Sequence, residues 1–302
     1  MNRPVAAIAV ATVAGLLAGS AIPAAELVRP MALPLLFLQT VVAVGALSEV
    51  GSESTRRWAW QMLLRHHAFA SVPLMALGLA MGLDTSWGVG TFVLGAAPPA
   101  IALPSNVAAC GGRIRPVLQF TLLGYGLGVL LTPALVLVGL GTAGRIGPMI
   151  VTLLLGLIVP AVVGTLAKPW LQRIPRTASF TIVSVSVLVL MLGMGSDLRA
   201  AILLGLDNPG LLWLGAAIGF GRCIWGAGLG LRFAPQGKLL LEAALAGGGK
   251  NAILAAVIAS AAFGPLAALP ALASLFAEIC LLFLVSACSH RLLPPAPDRS
   301  AD

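Results

Sequence analysis

Apolar runs of about 20 residues, separated by short polar turns, recur along the whole chain, and they decide what it can fold into. One such run crosses the ~30 Å hydrocarbon layer of a bilayer as a helix. Ten can be counted, at about 4–22, 29–47, 60–82, 87–111, 114–141, 146–170, 177–195, 209–231, 239–263 and 265–288. The pattern predicts an all-α polytopic membrane protein with ten transmembrane helices. Only 9% of the residues are charged, against about a quarter in a soluble domain. Met1-Asn2-Arg3-Pro4 and the run behind it could open a signal peptide. That run is long, however, and Pro23-Ala24-Ala25-Glu26 leads straight into the next, so a first transmembrane helix is expected.

The net charge of +8 does not point to nucleic acid, because the basic residues lie scattered over short connections and form no block. With ten spans, both termini share one side. That side collects thirteen basic residues: Arg3, Arg56, Arg57, Arg65, Arg113, Arg115, Lys168, Arg173, Arg176, Arg232, Lys238, Arg291 and Arg299. The other side has three, Arg29, Arg145 and Arg199. The asymmetry predicts cytoplasmic termini in a cell inner membrane. A Pro-rich tail, 291–302, is expected to be disordered.

Two basic residues remain, Arg222 and Lys250, both inside spans. Lys250 lies 12 residues past Lys238, roughly 18 Å along a helix, which is the midplane. Arg222 and Glu278 are similarly deep, and a buried structural pair is the reading for them. Glu242, one turn past Lys238, reads as an interfacial bystander.

Lys250 follows a glycine run, Ala246-Gly247-Gly248-Gly249-Lys250-Asn251, that should break the ninth helix. The fourth is interrupted in turn by Pro98-Pro99 and Pro104, ahead of Ser105-Asn106. Asn106 and Asn251 are 145 residues apart, and Pro4 and Pro148 are 144 apart. The chain therefore reads as two five-helix repeats, 1–143 and 144–290. An odd number of spans makes them inverted, and a matched pair of broken helices marks a transporter's site.

A break frees carbonyls on one half-helix and N–H groups on the other, whose positive end suits an anion. Pro104 fits the first turn of the second half-helix, where its missing N–H costs nothing. Gly247, Gly248 and Gly249 allow close backbone approach. If the breaks cross, Pro104, Ser105, Asn106, Gly248, Gly249, Asn251 and Lys250 form a site for a small organic anion. Lys250 has three readings: a partner of Glu278 or Glu242, a ligand of the substrate anion, or a fixed ammonium in the place of a coupling cation. Proton coupling is available to it, since burial disfavours a charged amine.

Other signals are weak. Gly249-Lys250-Asn251 lacks the spacer and hydroxyl residue of a phosphate loop. His66-His67, at a span boundary with no third ligand, reads as a surface pair. Cys110, Cys223, Cys280 and Cys288 have no paired spacing and read as core thiols. No cofactor, metal or enzymatic activity is expected.

The stretches 97–107 and 246–251, with Pro73 in the third run, resemble the bile acid:sodium symporter family and its bacterial relatives. The first is similar to that family's segment ending in Ser-Asn-Val, the second to its Glu-x-Gly-x-Gln-Asn signature. The resemblance implies a panel of helices 1, 2, 6 and 7 and a core of helices 3 to 5 and 8 to 10, with helices 4 and 9 crossing at unwound centres. It further implies alternating-access transport of organic anions such as bile acids, pantoate and other carboxylates, in many members with two sodium ions. The departures fall on the sodium ligands. The signature's glutamate position holds Ala246, its glutamine position Lys250, the third-helix glutamine position Ala68, and the fifth-helix hydroxyl positions fall near Gln119 and Leu123. Ser105, Asn106 and Asn251 are kept. Loss of sodium coupling is therefore expected, with Lys250 supplying a fixed positive charge and transport by uniport or with a proton. The alternatives are a sodium-coupled symporter and, in another class, a non-transporting membrane receptor or scaffold.

Overall fold

A computed structural model describes residues 3–22, 27, 30–47, 53–140, 151, 154–206, 209–235 and 239–289. Among these residues every regular element is helical. Apolar chains of this kind have one open solution in hydrocarbon, because a helix satisfies its backbone polar groups internally.

The helices are α1 (Arg3–Ala21), α2 (Ala32–Leu47), α3 (Glu53–His66), α4 (Val72–Ala80), α5 (Ser86–Ala96), α6 (Leu103–Ala109), α7 (Ile114–Leu140), α8 (Val159–Leu166), α9 (Arg176–Leu206), α10 (Pro209–Arg232), α11 (Leu240–Gly248), α12 (Ala252–Phe263) and α13 (Pro265–Ala287). Four stretches are long and apolar enough to cross a membrane: Thr181–Ala200, Leu212–Arg232, Leu240–Phe263 across its break, and Pro265–Ala287. The bent pair Ile114–Gly128 and Leu130–Gly139 makes a fifth if taken as one span. Val5–Ala21, Leu33–Val42 and Ser86–Ala96 are shorter apolar helices. Some of the sequence expectations fall on residues outside the described set: Pro148, Arg145, Lys238, the repeat boundary at 143/144 and the tail.

Two boundaries differ from the sequence reading. The third segment was expected to open near 60, but α3 already begins at Glu53. The seventh segment was expected to end near 195, but α9 continues through Ser196-Asp197-Leu198-Arg199 to Leu206. Polarity marks where a helix leaves an apolar layer, not where its hydrogen bonding stops, and nothing in 196–206 breaks a helix.

Prolines and glycines account for the irregular backbone. Pro73 has no N–H for the Phe69 carbonyl, and a π-helical turn, His67–Ser71, stands just before it. The indole of Trp225 takes the freed Phe69 carbonyl instead, at 2.8 Å. The same pairing recurs at Leu154–Ile158 ahead of Pro160. Pro133 removes the bond to residue 129 within α7, and there the helix bends by 45°. Gly264 turns the chain from α12 into α13 at φ 94°, a conformation that favours glycine.

Two apolar clusters lie one beyond the other along the helices. One joins Trp58, Met62 and Leu63 to Leu103, Val107, Phe120, Leu241 and Leu245. The other joins Val93, Leu94 and Tyr125 to Met191, Leu254, Ala255 and Leu272. Helix α1 contributes Val5 and Ile8 to the first cluster and Ala11 and Leu16 to the second. The two helix breaks, 97–102 and 249–251, lie where one cluster gives way to the other.

Helix α1 packs on α9, α2 on α8 and α9, and α10 on α11 and α13. Between α10 and α11 the backbones touch. A Cβ at Gly226 would strike the Gly247 carbonyl, and one at Gly230 the Ala243 carbonyl. Gly230→Val is therefore expected to cost ~1–3 kcal/mol through overpacking. Thermal unfolding in detergent reads this out, with Gly228→Ala as the neutral control, since a Cβ there meets nothing within 4 Å. Equal melting of the two variants would show that this contact does not hold α11 in place.

Candidate functional site

The first break begins where Pro98 follows Ala97. A residue before proline is pushed out of the helical region, and Ala97 is extended, with ψ 145°. Helix α5 therefore ends at Ala96, and α6 starts at Leu103 with Pro104 in its first turn. Pro98 and Pro99 also carry no N–H, so the carbonyls of Leu94 and Gly95 lose their helical donors. The second break is made by glycine. Helix α11 ends at Gly248, and Gly249 is extended at φ −91°, ψ 123°. Asn251 then caps α12, its side-chain oxygen accepting from the Leu254 N–H at 3.1 Å.

The two breaks meet. The Asn251 N–H donates to the Pro98 carbonyl at 2.9 Å. Gly249 packs so closely on Leu103 that a Cβ there would overlap its side chain. The Lys250 side chain, 1% exposed, runs to the open end of α5. Its ammonium donates to the Gly95 carbonyl at 2.7 Å and also to the Ala97 carbonyl. The helix dipole places partial negative charge at that end. Two backbone carbonyls thus hold the ammonium.

Lys250 is tied down from its own backbone as well. Its N–H donates to Oε1 of Glu278 at 3.0 Å. The same oxygen accepts from Nη2 of Arg222 at 2.5 Å and from the Ser274 hydroxyl at 3.4 Å. Glu278 thus joins α10, α13 and the second break through one oxygen. The Arg222 guanidinium uses Nη2 alone, and among the described residues its Nε and Nη1 have no hydrogen-bond partner. The centre holds two cationic side chains and one carboxylate.

Pro104 and Ser105 are buried in the first turn of α6, Asn106 is half-buried, and Gly248 and Asn251 are buried at the second break. The Asn251 amide nitrogen reaches the Tyr125 hydroxyl at 3.4 Å, a long and weak bond. Oδ1 of Asn106 has no partner among the described residues.

Two sequence readings are corrected. Glu242 is no interfacial bystander: it is buried, and its Oε1 accepts from the Arg113 N–H at 2.5 Å. The turn after α6 leaves that N–H free, and a carboxylate on α11 satisfies it. His66-His67 is not a surface pair either. His66 is 3% exposed and packs edge-on to Phe120, and neither ring nitrogen has a partner among the described residues. Counting residues along a span placed both near its end. The helix, however, starts at Glu53, and that brings His66 inside the bundle.

Sequence reasoning missed the carbonyls of Gly95, Ala97 and Pro98 and the hydroxyl of Tyr125. The Gly95 carbonyl had a signal, since Pro99 strips its helical donor; those of Ala97 and Pro98 had none. Tyr125, the chain's single tyrosine, had none. Neither a family model nor a curated protein matches the chain.

Proposed function

We propose that this chain is a secondary carrier for a small organic anion, a carboxylate, working by alternating access in a cell inner membrane. In this reading the full chain has ten spans in two inverted repeats with cytoplasmic termini. The crossing of the broken helices is the binding region, with Pro104, Ser105, Asn106, Gly248, Gly249 and Asn251 around the anion. The observation that carries the proposal is the Lys250 ammonium seated on the carbonyls of Gly95 and Ala97. A fixed cation there does what a bound coupling ion would do: it neutralises the carbonyl end of α5 and leaves positive charge beside the crossing. A mobile cation would be repelled from the same place, so transport is sodium-independent, by uniport or with a proton. Glu278 holds the lysine backbone in position and is itself neutralised by Arg222.

The test is uptake into proteoliposomes of a panel of small carboxylates, with sodium and pH varied separately. The expected result is saturable uptake of at least one carboxylate at equal rate in sodium and in potassium. Strong stimulation by sodium overturns the role given to Lys250 and favours a sodium symporter. Neither uptake nor binding of any anion overturns transport and leaves a receptor or scaffold.

A further inference from the structure

Away from the crossing, a groove of about 480 Å³ runs between α10 and the π-helical turn and α4 facing it. Pro73, Leu74 and Leu77 line one side, and Leu214, Ile218 and Gly221 the other. Such a volume suits a small-molecule ligand. At one end the Trp225 indole bonds to the Phe69 carbonyl. From there the lining residues run to Leu77 on one helix and to Leu214 on the other, roughly 12–16 Å at helical rise. Leu77, Leu214, Phe69 and Trp225 are exposed, so the groove opens on the outer surface of the bundle, where the bilayer lies.

Arg222 is the only charged residue in that lining. It is 5% exposed and spends one nitrogen on Glu278, while Nε and Nη1 have no partner among the described residues. Buried guanidinium nitrogens left without acceptors are costly. An anion delivered along the groove would supply the missing acceptor. Nη1 carries N–H groups with no acceptor among the described residues, a carboxylate takes such a donor in a charge-assisted bond, and the walls call for an aliphatic chain behind it.

We propose that this groove binds a single-chain fatty carboxylate from the bilayer, its carboxylate on Nη1 of Arg222 and its chain along Leu74, Leu77, Leu214 and Ile218. A two-chain phospholipid fits less well. Arg222 lies ten residues inside the end of α10 at Arg232, about 15 Å from it, whereas a phospholipid headgroup stays in the polar layer. The site is separate from the crossing, with the Arg222–Glu278 pair standing between the two.

The experiment is equilibrium binding of radiolabelled decanoate to the purified full chain in detergent, with decanol as the uncharged competitor. Gly221→Leu is the blocking variant. A Cβ at Gly221 meets nothing within 4 Å, so the leucine enters the groove and leaves the backbone and the Arg222–Glu278 pair in place. Ala217→Phe, on the same wall, is a second blocker. The expected result is saturable decanoate binding, at least tenfold weaker competition by decanol, and at least tenfold weaker decanoate binding in both blockers at unchanged melting temperature. Absence of saturable binding, equal competition by decanol, or unchanged binding in both blockers overturns the proposal. So does displacement of decanoate by an equimolar anionic diacyl phospholipid, which would make the groove an ordinary lipid contact.

Discussion

Glu278→Ala is expected to destabilise the protein by ~3–5 kcal/mol, the cost of leaving one member of a buried ion pair alone. The carboxylate is the acceptor for three donors: the Arg222 guanidinium, the Lys250 N–H and the Ser274 hydroxyl. Without it, Arg222 has no hydrogen-bonding partner left among the described residues, and the second break loses its tie to α13. Glu278→Gln keeps an acceptor for the backbone N–H but not the charge, so it should fall between alanine and wild type. The double replacement Arg222→Met with Glu278→Leu removes both charges, and it should be less destabilised than either single variant. Thermal unfolding in one detergent of wild type, Glu278→Ala, Glu278→Gln, Arg222→Met, Glu278→Leu and the double variant decides. If Glu278→Ala melts with wild type, or if the two single effects simply add, the pair does not hold this region together.

The composition of this centre explains what could be read from the sequence. Helicity and membrane character follow from apolar run length, a property of each segment alone. The breaks follow from Pro98-Pro99 and from Gly247-Gly248-Gly249, whose effects are local. What these residues touch is a matter of packing. Lys250 could be placed at mid-depth by counting, but nothing in its neighbours in sequence says that its ammonium turns to Gly95 and Ala97, more than 150 residues away. Glu278 was legible as a deep acid and Arg222 as a deep base. That one carboxylate oxygen serves both Arg222 and the Lys250 backbone depends on how α10 and α13 dock. Glu242 and His66 show the converse. Each was assigned to an interface by its distance along a span; His66 is enclosed because its own helix starts at Glu53, and Glu242 because the turn after α6 packs against it.

The second large effect belongs to Lys250. Lys250→Met keeps the apolar stem of the side chain and removes its donors, so the carbonyls of Gly95 and Ala97 are left buried and unpaired. Each such group costs ~1–3 kcal/mol, and the breaks lose the link that holds them in register. Carboxylate uptake should fall at least tenfold, more than binding at the Arg222 groove does. Lys250→Gln restores two N–H donors without charge, and it separates hydrogen bonding from electrostatics. If the ammonium stands in for a coupling ion, Lys250→Gln opens the carbonyl end of α5 to a mobile cation but gives it no anionic ligand. Adding Ala246→Glu supplies one. Ala246 is fully buried among apolar side chains, and a carboxylate placed there is costly unless a cation joins it. The double variant should therefore melt at a higher temperature in sodium chloride than in choline chloride, a difference that wild type lacks. Its uptake, where it survives, should become sodium-dependent. An identical salt response in wild type and double variant, or undiminished uptake and an unaltered pH response in Lys250→Gln, would mean that Lys250 neither replaces an ion nor couples transport. It would then remain a structural clamp between the two breaks.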